Sequence, residues 1–270
     1  MTHKKYRKLF DLTGKTAIIT GGVGILGRCF CSGLAEFGAN VVIIDIEEKA
    51  VKDFAKELSE KYGVTSMGIK CDTSSPDEVR SAIKLVVKEM GSIDILHNNA
   101  QGKTASVAFE DCSLKEWRLT SSVNEEGYFL MAQAVGKQML DQNIGGSIIQ
   151  TSSIYGIMAP DHRIYKNSSV KGVSMGSRAV YSFTKSGIVG LTKYLATYWA
   201  DKNIRVNTLT PGGVESNQSD IFKKQYSDRI PLGRMASKEE MVGALVYLAS
   251  DASSYVTGQN IVIDGGLEAW

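Results

Sequence analysis

Short apolar runs alternate with amphipathic stretches from Lys15 almost to the end of the chain. Runs such as Val41–Ile44 are continuous rather than alternating, which is typical of strands buried on both faces of a sheet. The stretches Ser75–Met90 and Tyr181–Asp201 have the period of helices. This alternation predicts an α/β fold, with a single doubly wound parallel sheet of about seven strands and helices on both faces. The predicted strands are Thr16–Thr20, Asn40–Asp45, Thr65–Cys71, Ile93–Asn98, Gly146–Thr151, Ile204–Leu209 and Asn260–Asp264.

The organisation of the chain is uniform apart from one stretch. There is no internal repeat and no linker rich in proline or glycine, so we expect a single domain over residues 1–270. The stretch at about residues 160–178 is polar, rich in glycine and serine, and without a clear period. A loop of this length inside a compact domain is usually functional or disordered, so we expect an insertion there.

Composition narrows the class of protein. The 270 residues are 43% hydrophobic and 22% charged, with a formal net charge of +2. So small a charge argues against nucleic acid and membrane surfaces as partners. No apolar run has the form of a signal peptide or reaches the ~18 residues of a membrane span. The four cysteines and three histidines are scattered without the spacing of a disulfide framework or a metal site. We therefore expect a cytoplasmic protein with reduced thiols and no metal.

A glycine-rich turn follows the first predicted strand, where residues Thr20–Gly27 read Thr-Gly-Gly-Val-Gly-Ile-Leu-Gly. Glycine allows a tight turn and a close approach of the backbone to a pyrophosphate, and the helix that follows offers unpaired N–H groups. In its strand–helix–strand context, the turn predicts a Rossmann-type dinucleotide site. The residues expected to line it are Gly21, Gly24, Ile25, Leu26 and Gly27.

The second predicted strand ends at Asp45, about 20 residues beyond the turn. A carboxylate at this position accepts hydrogen bonds from the adenosine ribose and repels a 2′-phosphate, and Glu47 and Glu48 add to that repulsion. Arg28 would favour a 2′-phosphate instead. The balance favours NAD over NADP as the cofactor.

Tyr181 and Lys185 are four positions apart in a predicted helix, so they lie on one face. A free tyrosine has a pKa near 10, and a neighbouring ammonium favours the phenolate. The pair can therefore exchange a proton near neutral pH, which hydride transfer at an alcohol carbon requires. Tyr and Lys at this spacing also occur by chance on many helices.

From about Leu12 to Gly266 the chain resembles the short-chain dehydrogenase/reductase family, in its shorter single-domain branch. Each matching motif is weak alone, but together they follow the family's order. The motifs are Thr20–Gly27, Asp72, Asn98-Asn99-Ala100, Asn124, Ser153, Tyr181 with Lys185, Pro211-Gly212-Gly213-Val214, Thr257-Gly258-Gln259 and Asp264-Gly265-Gly266.

The resemblance implies four catalytic residues. Tyr181 is the general acid/base, while Lys185 binds the nicotinamide ribose and lowers the pKa of Tyr181. Ser153 hydrogen-bonds the substrate oxygen. We assign this role to Ser153 rather than to Ser152 because the family's serine is the second of the pair. Ser152 then has a structural role. Asn124 holds a water that links Lys185 to solvent.

The resemblance also implies further cofactor contacts. Asp72 contacts the adenine amino group, and Asn99 lines the cofactor groove through its backbone. Val214 and Ser216 meet the nicotinamide carboxamide. Tyr181 and Lys185 complete the set on the nicotinamide side.

Two departures from the family pattern are visible. The spacing Gly21-x-x-Gly24-x-x-Gly27 is more typical of larger nucleotide-sugar epimerases and dehydratases, but those have a C-terminal substrate lobe that this chain lacks. Gln101 stands before Gly102 in the turn where the family usually has Asn-Asn-Ala-Gly, which predicts a reshaped turn beside the nicotinamide.

The insertion lies between Ser153 and Tyr181, which are 28 positions apart, about twice the family's usual interval. It is therefore expected beside the active site, and its basic residues outnumber its acidic ones. Arg and Lys often bind phosphate or carboxylate, which predicts an anionic, sugar-like substrate.

A similar insertion occurs in enzymes of bacterial surface-glycan sugar metabolism. A solvated loop or an oligomer contact explains it equally well. The substrate candidates are His162, Arg163 and Lys166, with Asp161, Tyr165, Lys171 and Arg178 nearby.

Three functions remain open. The first is an NAD-dependent oxidoreductase that acts on a carbinol or carbonyl carbon of a polar, small-molecule substrate. The second is an NADPH-dependent 3-oxoacyl-carrier reductase, against which Asp45 argues. The third is a dinucleotide-binding sensor without catalysis, against which the retention of all four catalytic residues argues.

The resemblance also implies a homodimer or homotetramer. The apolar helix face with Ile188, Leu195 and Tyr198 fits such a contact, but packing in the core explains the same pattern.

Overall fold

The computed structural model describes residues 5–102, 108–167, 169–170, 173–174 and 179–270. Its strands are β1 (Thr16–Thr20), β2 (Asn40–Asp45), β3 (Ser66–Lys70), β4 (Ile95–Asn98), β5 (Gly146–Thr151), β6 (Ser169–Val170), β7 (Val173–Ser174), β8 (Ile204–Pro211) and β9 (Asn260–Ile263). Seven of them form a parallel sheet in the order β3-β2-β1-β4-β5-β8-β9. The predicted doubly wound sheet is confirmed.

Helices cover both faces of this sheet. They are α1 (Ile25–Glu36), α2 (Glu48–Tyr62), α3 (Pro76–Met90), α4 (Leu114–Ser121), α5 (Tyr128–Gln142), α6 (Ala179–Tyr198), α7 (Asp220–Ser227) and α8 (Val242–Ala249). A π-helical turn, Ser122–Gly127, joins α4 to α5. Short 3-10 helices lie at Arg7–Phe10, Phe109–Asp111, Ile154–Gly156, His162–Tyr165, Ala200–Lys202, Lys238–Met241, Asp251–Ser253 and Leu267–Ala269. None of the helices in the described ranges is long and apolar enough to cross a membrane.

Two apolar cores lie on opposite faces of the sheet. The first packs α1, α2 and α8 against the strands, with Phe30 and Leu245 fully buried. The second packs α3, α5 and α6 against the other face, with Val86 and Val135 fully buried. Continuous branched residues suit this arrangement, because both faces of each central strand are covered. All five residues of β1 are buried.

The strand order reverses between β1 and β4, so helices leave these two strands toward opposite faces. In an open parallel sheet, ligands bind in the crevice beyond the carboxyl ends of the strands at this reversal. The glycine-rich turn after β1 and the turn after β4 meet there, since the N–H of Asn99 donates to Thr20 Oγ1 at 2.9 Å. The fold therefore places the predicted dinucleotide site at its reversal point.

A third apolar cluster is formed by segments that lie beyond the ends of the strands, and it includes Ile164 of the insertion. Within the insertion expected at 160–178, the described residues His162–Tyr165 form a 3-10 helix that buries Ile164. Residues 169–170 and 173–174 pair as antiparallel strands. A single buried residue in a polar stretch gives no period, so the sequence pattern could not reveal this packing. The cluster consists of Ile154, Ile164, Phe222, Tyr226, Ile230, Met235 and Leu267.

Candidate functional site

The glycine-rich turn is sterically closed to larger residues. Gly21 has a φ of +64°, and a Cβ added to it would lie 2.8 Å from the Cα of Ala100. A Cβ on Gly27 would lie 2.0 Å from the carbonyl oxygen of Gly21. Both positions require glycine, because a side chain would push the turn away from the neighbouring backbone.

The start of α1 is open to an anion. Its N-cap residue is Gly24, no side chain of the described residues caps it, and its first turn contains no acidic residue. The first N–H groups of a helix have no partner within the helix, and Ile25 and Leu26 lie in this turn. A helix start of this kind suits a pyrophosphate, as predicted for this turn.

Asp45 lies beside the same turn. Its Oδ2 accepts from the N–H of Val23 at 3.3 Å, and its Oδ1 accepts from the N–H of Ile46 at 2.8 Å. Arg28 is held nearby, since its Nε donates to the carbonyl of Val23 at 3.2 Å and its guanidinium stacks 4.5 Å from the centre of the Phe54 ring. The carboxylate and the guanidinium are thus both fixed at the turn.

Two other predicted cofactor residues have local roles. Asn99 ties the turn after β4 to the glycine-rich turn, because its Nδ2 donates to the carbonyl of Thr20 at 3.1 Å. Thr20 Oγ1 also accepts from the N–H of Ala100 at 3.0 Å. Asp72 shapes the entry to α3, because its Oδ1 accepts from the Ser74 hydroxyl at 2.7 Å.

Tyr181 and Lys185 lie on α6, where Tyr181 is half-buried and Lys185 is 2% exposed. The Lys185 Nζ is 5.9 Å from the centre of the Tyr181 ring. It donates to the carbonyl of Thr151 at 2.8 Å and to the Tyr128 hydroxyl at 3.3 Å. Burial lowers the pKa of Lys185 to about 7, because the interior disfavours the ammonium form.

Sequence reasoning missed the residues that hold Lys185. Tyr128 is fully buried, and its hydroxyl donates to the same Thr151 carbonyl at 3.1 Å. His97 lies behind Thr151, with its Nε2 2.8 Å from Thr151 Oγ1, and burial lowers the pKa of His97 to about 3. His97 is therefore neutral. Nothing in their local sequence distinguishes these side chains from ordinary core residues.

Ser152 and Ser153 have different roles at the end of β5. The Ser152 hydroxyl donates to the carbonyl of Lys185 at 2.7 Å, so it fixes α6 against the strand. Ser153 Oγ accepts from the N–H of Tyr155 at 3.2 Å, where it caps a 3-10 helix. A Cβ on Gly156 would lie 2.7 Å from the backbone of Lys185, so α6 packs closely on this 3-10 helix.

Asn124 lies in the π-helical turn and is completely buried. Its Oδ1 accepts from the N–H of Gly102 at 2.9 Å, and its Nδ2 donates to Thr184 Oγ1 at 3.2 Å. Thr184 in turn donates to the carbonyl of Tyr181 at 3.1 Å. Asn124 therefore joins the turn after β4 to α6, the helix of Tyr181 and Lys185, a role that the sequence did not reveal.

The segment after β8 contains Val214 and Ser216. A Cβ on Gly213 would lie 2.3 Å from the Tyr226 ring, so glycine brings this backbone against α7. Gln218 folds back over the segment, with its Nε2 donating to the carbonyl of Val214 at 2.9 Å and its Oε1 accepting from the N–H of Ser216 at 2.7 Å. The segment thus binds a primary carboxamide through one carbonyl and one N–H.

In the insertion, the basic residues differ in their pairing. Arg163 is highly exposed, yet it binds Asp161 through two hydrogen bonds of 2.8 Å. Arg229 joins the same carboxylate at 2.6 Å, and the two guanidinium groups hold the pKa of Asp161 well below its usual range. His162 and Lys166 are exposed. Lys171 and Arg178, the other basic residues of the insertion, lie outside the described residues.

Comparison with known proteins assigns the family. The short chain dehydrogenase model matches residues 15–168, and an enoyl-(acyl carrier protein) reductase model matches residues 157–268. The chain belongs to the short-chain dehydrogenase family. It is 34% identical to a D-threitol dehydrogenase of Mycolicibacterium smegmatis, over 95% of this chain and 94% of that one.

Two further members of the short-chain dehydrogenase family show its range. A 3-oxoacyl-[acyl-carrier-protein] reductase of Aquifex aeolicus is 34% identical over 95% of this chain and 98% of that one. A gluconate 5-dehydrogenase of Burkholderia cenocepacia, solved with NADP and tartrate, has a TM-score of 0.87 and 31% identity, covering 97% of this chain and 98% of that one. Family members thus include enzymes named for sugar-related and for acyl substrates.

As a short-chain dehydrogenase, this chain is an NAD(P)-dependent oxidoreductase. Its residues fit a nicotinamide dinucleotide, because the uncapped start of α1 suits a pyrophosphate and the segment at Val214 and Ser216 already accommodates a carboxamide. When bound, the nicotinamide ring supplies or accepts a hydride. The family alone decides neither the substrate nor the choice between NAD and NADP.

Proposed function

We propose that this short-chain dehydrogenase uses NAD to oxidise a carbinol, or NADH to reduce a carbonyl, on a polyhydroxylated, sugar-like substrate. The observation that carries the proposal is the arrangement of Tyr181 and Lys185 on α6. The phenol is half-buried while the ammonium below it is fully enclosed, 5.9 Å from the ring centre. This arrangement supports proton exchange at Tyr181, next to the end of β5.

The proposed roles follow from these positions. Tyr181 takes the hydroxyl proton of the carbinol, or returns it to the carbonyl oxygen in the reverse direction. Ser153 accepts a backbone N–H with its oxygen, and its own proton binds the substrate oxygen. Lys185 holds the nicotinamide ribose and favours the Tyr181 phenolate whenever it carries a charge. Asn124, bonded to Gly102 and Thr184, holds the water that connects Lys185 to solvent.

The preference for NAD rests on Asp45. Its carboxylate, fixed by the N–H groups of Val23 and Ile46, lies at the end of β2 where the adenosine ribose is expected. A 2′-phosphate there would face this negative charge. Arg28 is the opposing group, but its guanidinium is stacked on Phe54. Because the gluconate 5-dehydrogenase relative was solved with NADP, the affinities of this enzyme for NADH and NADPH are to be compared directly.

Two tyrosine side chains near Tyr181 support a hydroxyl-rich substrate. Tyr155 is hydrogen-bonded to the Tyr165 side chain, and both Tyr155 and Tyr226 lie close enough to Tyr181 to interact electrostatically. Burial raises the pKa of Tyr155 and of Tyr226, so these phenols stay neutral and hydrogen-bond without charge. Neutral donors and acceptors of this kind match the hydroxyl groups of a polyol.

An acidic sugar is the form of this substrate that the insertion favours. Arg163 of the insertion and Arg229 after α7 share the carboxylate of Asp161, which leaves a net positive charge on this group of three residues. Lys166 and His162 are exposed nearby. The gluconate 5-dehydrogenase relative is named for a sugar acid, which agrees with such a substrate. A place in surface-glycan sugar metabolism remains a narrower form of the same proposal.

The second candidate function is reduction of a 3-oxoacyl carrier substrate with NADPH. The Aquifex aeolicus relative favours it, since its identity to this chain equals that of the threitol enzyme. Asp45 and the tyrosines around Tyr181 oppose it. A non-catalytic sensor, the third candidate, is opposed by the presence of all four proposed catalytic residues.

We also propose that the enzyme is a homodimer or homotetramer. On α6, Ile188 and Leu195 are buried in the monomer, but Phe183, Tyr194 and Tyr198 are each more than half exposed. Exposed aromatic side chains on one helix support a contact between subunits. Light scattering coupled to size-exclusion chromatography tests this, and a monomer at micromolar concentration would refute it.

The proposed function is tested by following NADH or NADPH absorbance with purified protein. The substrate panel contains neutral polyols, sugar acids, sugar phosphates and 3-oxoacyl thioesters. We expect turnover of a sugar acid or polyol with NAD(H). Turnover confined to thioesters with NADPH would instead establish the second candidate. Binding of NADH without turnover of any substrate would support the sensor.

A further inference from the structure

Gln218 holds its side chain against the backbone of its own segment. Its Nε2 donates to the Val214 carbonyl at 2.9 Å and its Oε1 accepts from the Ser216 N–H at 2.7 Å. Both polar atoms of the carboxamide are therefore used within one short stretch of chain. Both distances lie in the usual range for hydrogen bonds.

The nicotinamide ring carries the same chemical group, a primary carboxamide with one acceptor oxygen and two N–H donors. In the proposed function, Val214 and Ser216 receive this carboxamide. The Val214 carbonyl has a second lone pair, but the Ser216 N–H is a single donor that Gln218 Oε1 already uses, so it cannot also bind the nicotinamide oxygen. We propose, on the basis of the proposed function, that Gln218 is an internal competitor that the nicotinamide displaces, and that it sets the affinity for the cofactor.

Displacement of Gln218 leaves the segment in place. Glu215 is paired with Lys223 of α7 at 2.8 Å, so a second contact ties the segment to α7. The N–H of Glu215 also donates to the carbonyl of Ala236 at 2.8 Å. The backbone groups that Gln218 vacates therefore remain at the same position. The cost of displacement is confined to the two hydrogen bonds of its side chain.

The expected effect on affinity follows from those bonds. Each hydrogen bond of this type contributes modestly to stability, and part of that gain is offset because the bound side chain loses rotamer freedom. Removing the competitor should tighten NADH binding about 5- to 30-fold. ADP-ribose has no nicotinamide, so it does not compete with Gln218. Its affinity should change less than about twofold.

The test measures binding to the full-length protein with two ligands. NADH is titrated by fluorescence and ADP-ribose by calorimetry, for the wild type, Gln218→Ala and Gln218→Met. The Met variant keeps the length of the side chain without its polar atoms, so both variants should tighten NADH selectively. Gln259→Ala is the matched control, because Gln259 is exposed and its amide donates to the backbone carbonyl of Thr257 at 3.3 Å.

The outcomes separate this inference from the proposed function. Selective tightening of NADH in both Gln218 variants supports the competitor role. Unchanged or weaker NADH binding, or equal changes for NADH and ADP-ribose, overturns it while cofactor binding itself stands. A wild type that binds neither ligand overturns the proposed function together with this inference.

Discussion

Replacing Lys185 with methionine removes a charge from the interior while it keeps most of the aliphatic bulk. Lys185 is 2% exposed, and the contacts of its Nζ are the Thr151 carbonyl and the Tyr128 hydroxyl. In the variant, the Tyr128 hydroxyl still donates to the Thr151 carbonyl, at 3.1 Å in the wild type. The substitution therefore leaves a partner for the carbonyl and removes the cost of burying an ammonium group.

The magnitude follows from the pKa of Lys185, which burial lowers from 10.5 to about 7. At 1.36 kcal/mol per pKa unit, this shift corresponds to a cost of roughly 5 kcal/mol while the lysine is protonated. The lost hydrogen bond to Thr151 offsets about 2 kcal/mol of the gain. We therefore expect the Lys185→Met variant to be more stable than the wild type by about 3 kcal/mol at or below neutral pH.

The sign of the pH dependence is set by linkage. Between about pH 7 and pH 10.5 the unfolded lysine is still protonated while the folded lysine is not, so the stability of the wild type rises with pH in this window. The Met variant has no titrating side chain at position 185, so its stability lacks this rise with pH. The stability difference should therefore be largest at or below about pH 7 and should shrink toward pH 10.

Urea unfolding at about pH 6.5 and about pH 9.5 measures both quantities. Lys193→Met is the matched control, since Lys193 is an exposed lysine on the same helix and should change stability little at either pH. Because Lys185 is also the proposed ribose contact, the Lys185→Met variant should bind NADH about tenfold more weakly despite its greater stability. A variant that is less stable than the wild type at about pH 6.5, or a difference that does not change with pH, would refute this reasoning.

Three further substitutions test separate parts of the site. Tyr128→Phe removes the hydroxyl between Lys185 and Thr151 and should lower the free energy of unfolding by about 1 kcal/mol in urea. Asp45→Ser should weaken NADH and tighten NADPH, each by about tenfold in fluorescence titrations, because it removes the charge that faces a 2′-phosphate. Arg163→Ala should raise the KM of an acidic sugar about tenfold with little change in kcat, because the positive charge of the insertion is reduced.

Each of these predictions has its own control. Tyr6→Phe, at an exposed tyrosine, should leave stability unchanged, and an equal loss in both variants would contradict the role of the Tyr128 hydroxyl. An Asp45→Ser enzyme that still discriminates between NADH and NADPH as the wild type does would place the selectivity elsewhere. For Arg163→Ala, a neutral polyol is the internal control, and unchanged kinetics with the acidic sugar would remove Arg163 from the substrate site.

The sheet and the motif positions followed from local patterns. Continuous apolar runs indicated buried strands. The glycines after β1 indicated a tight turn, and this prediction does not depend on distant residues. Strand ends were less predictable, since β8 continues to Pro211, two residues beyond the predicted end, where it pairs with Ile263 of β9. Pro211 fits there because β5 pairs with β8 only as far as Leu209, so no ladder hydrogen bond on that side needs a backbone N–H at position 211.

The rest of the site depends on contacts between distant segments. Asp161 and Arg229 are 68 positions apart, and Lys185 and Tyr128 are 57 apart, so no local pattern relates them. The fold brings each pair together through packing that periodicity does not report. The single-domain organisation, the cytoplasmic location and the oligomeric state stay predictions.

The central claim is that the Tyr181 phenol exchanges the proton during hydride transfer. Tyr181→Phe keeps the ring and removes only the hydroxyl. With the best substrate of the panel, kcat should fall about 10²- to 10⁴-fold while the Kd for NADH stays within about twofold. A variant that keeps its kcat within about tenfold of the wild type would contradict the account, because the proton would then be exchanged by another group.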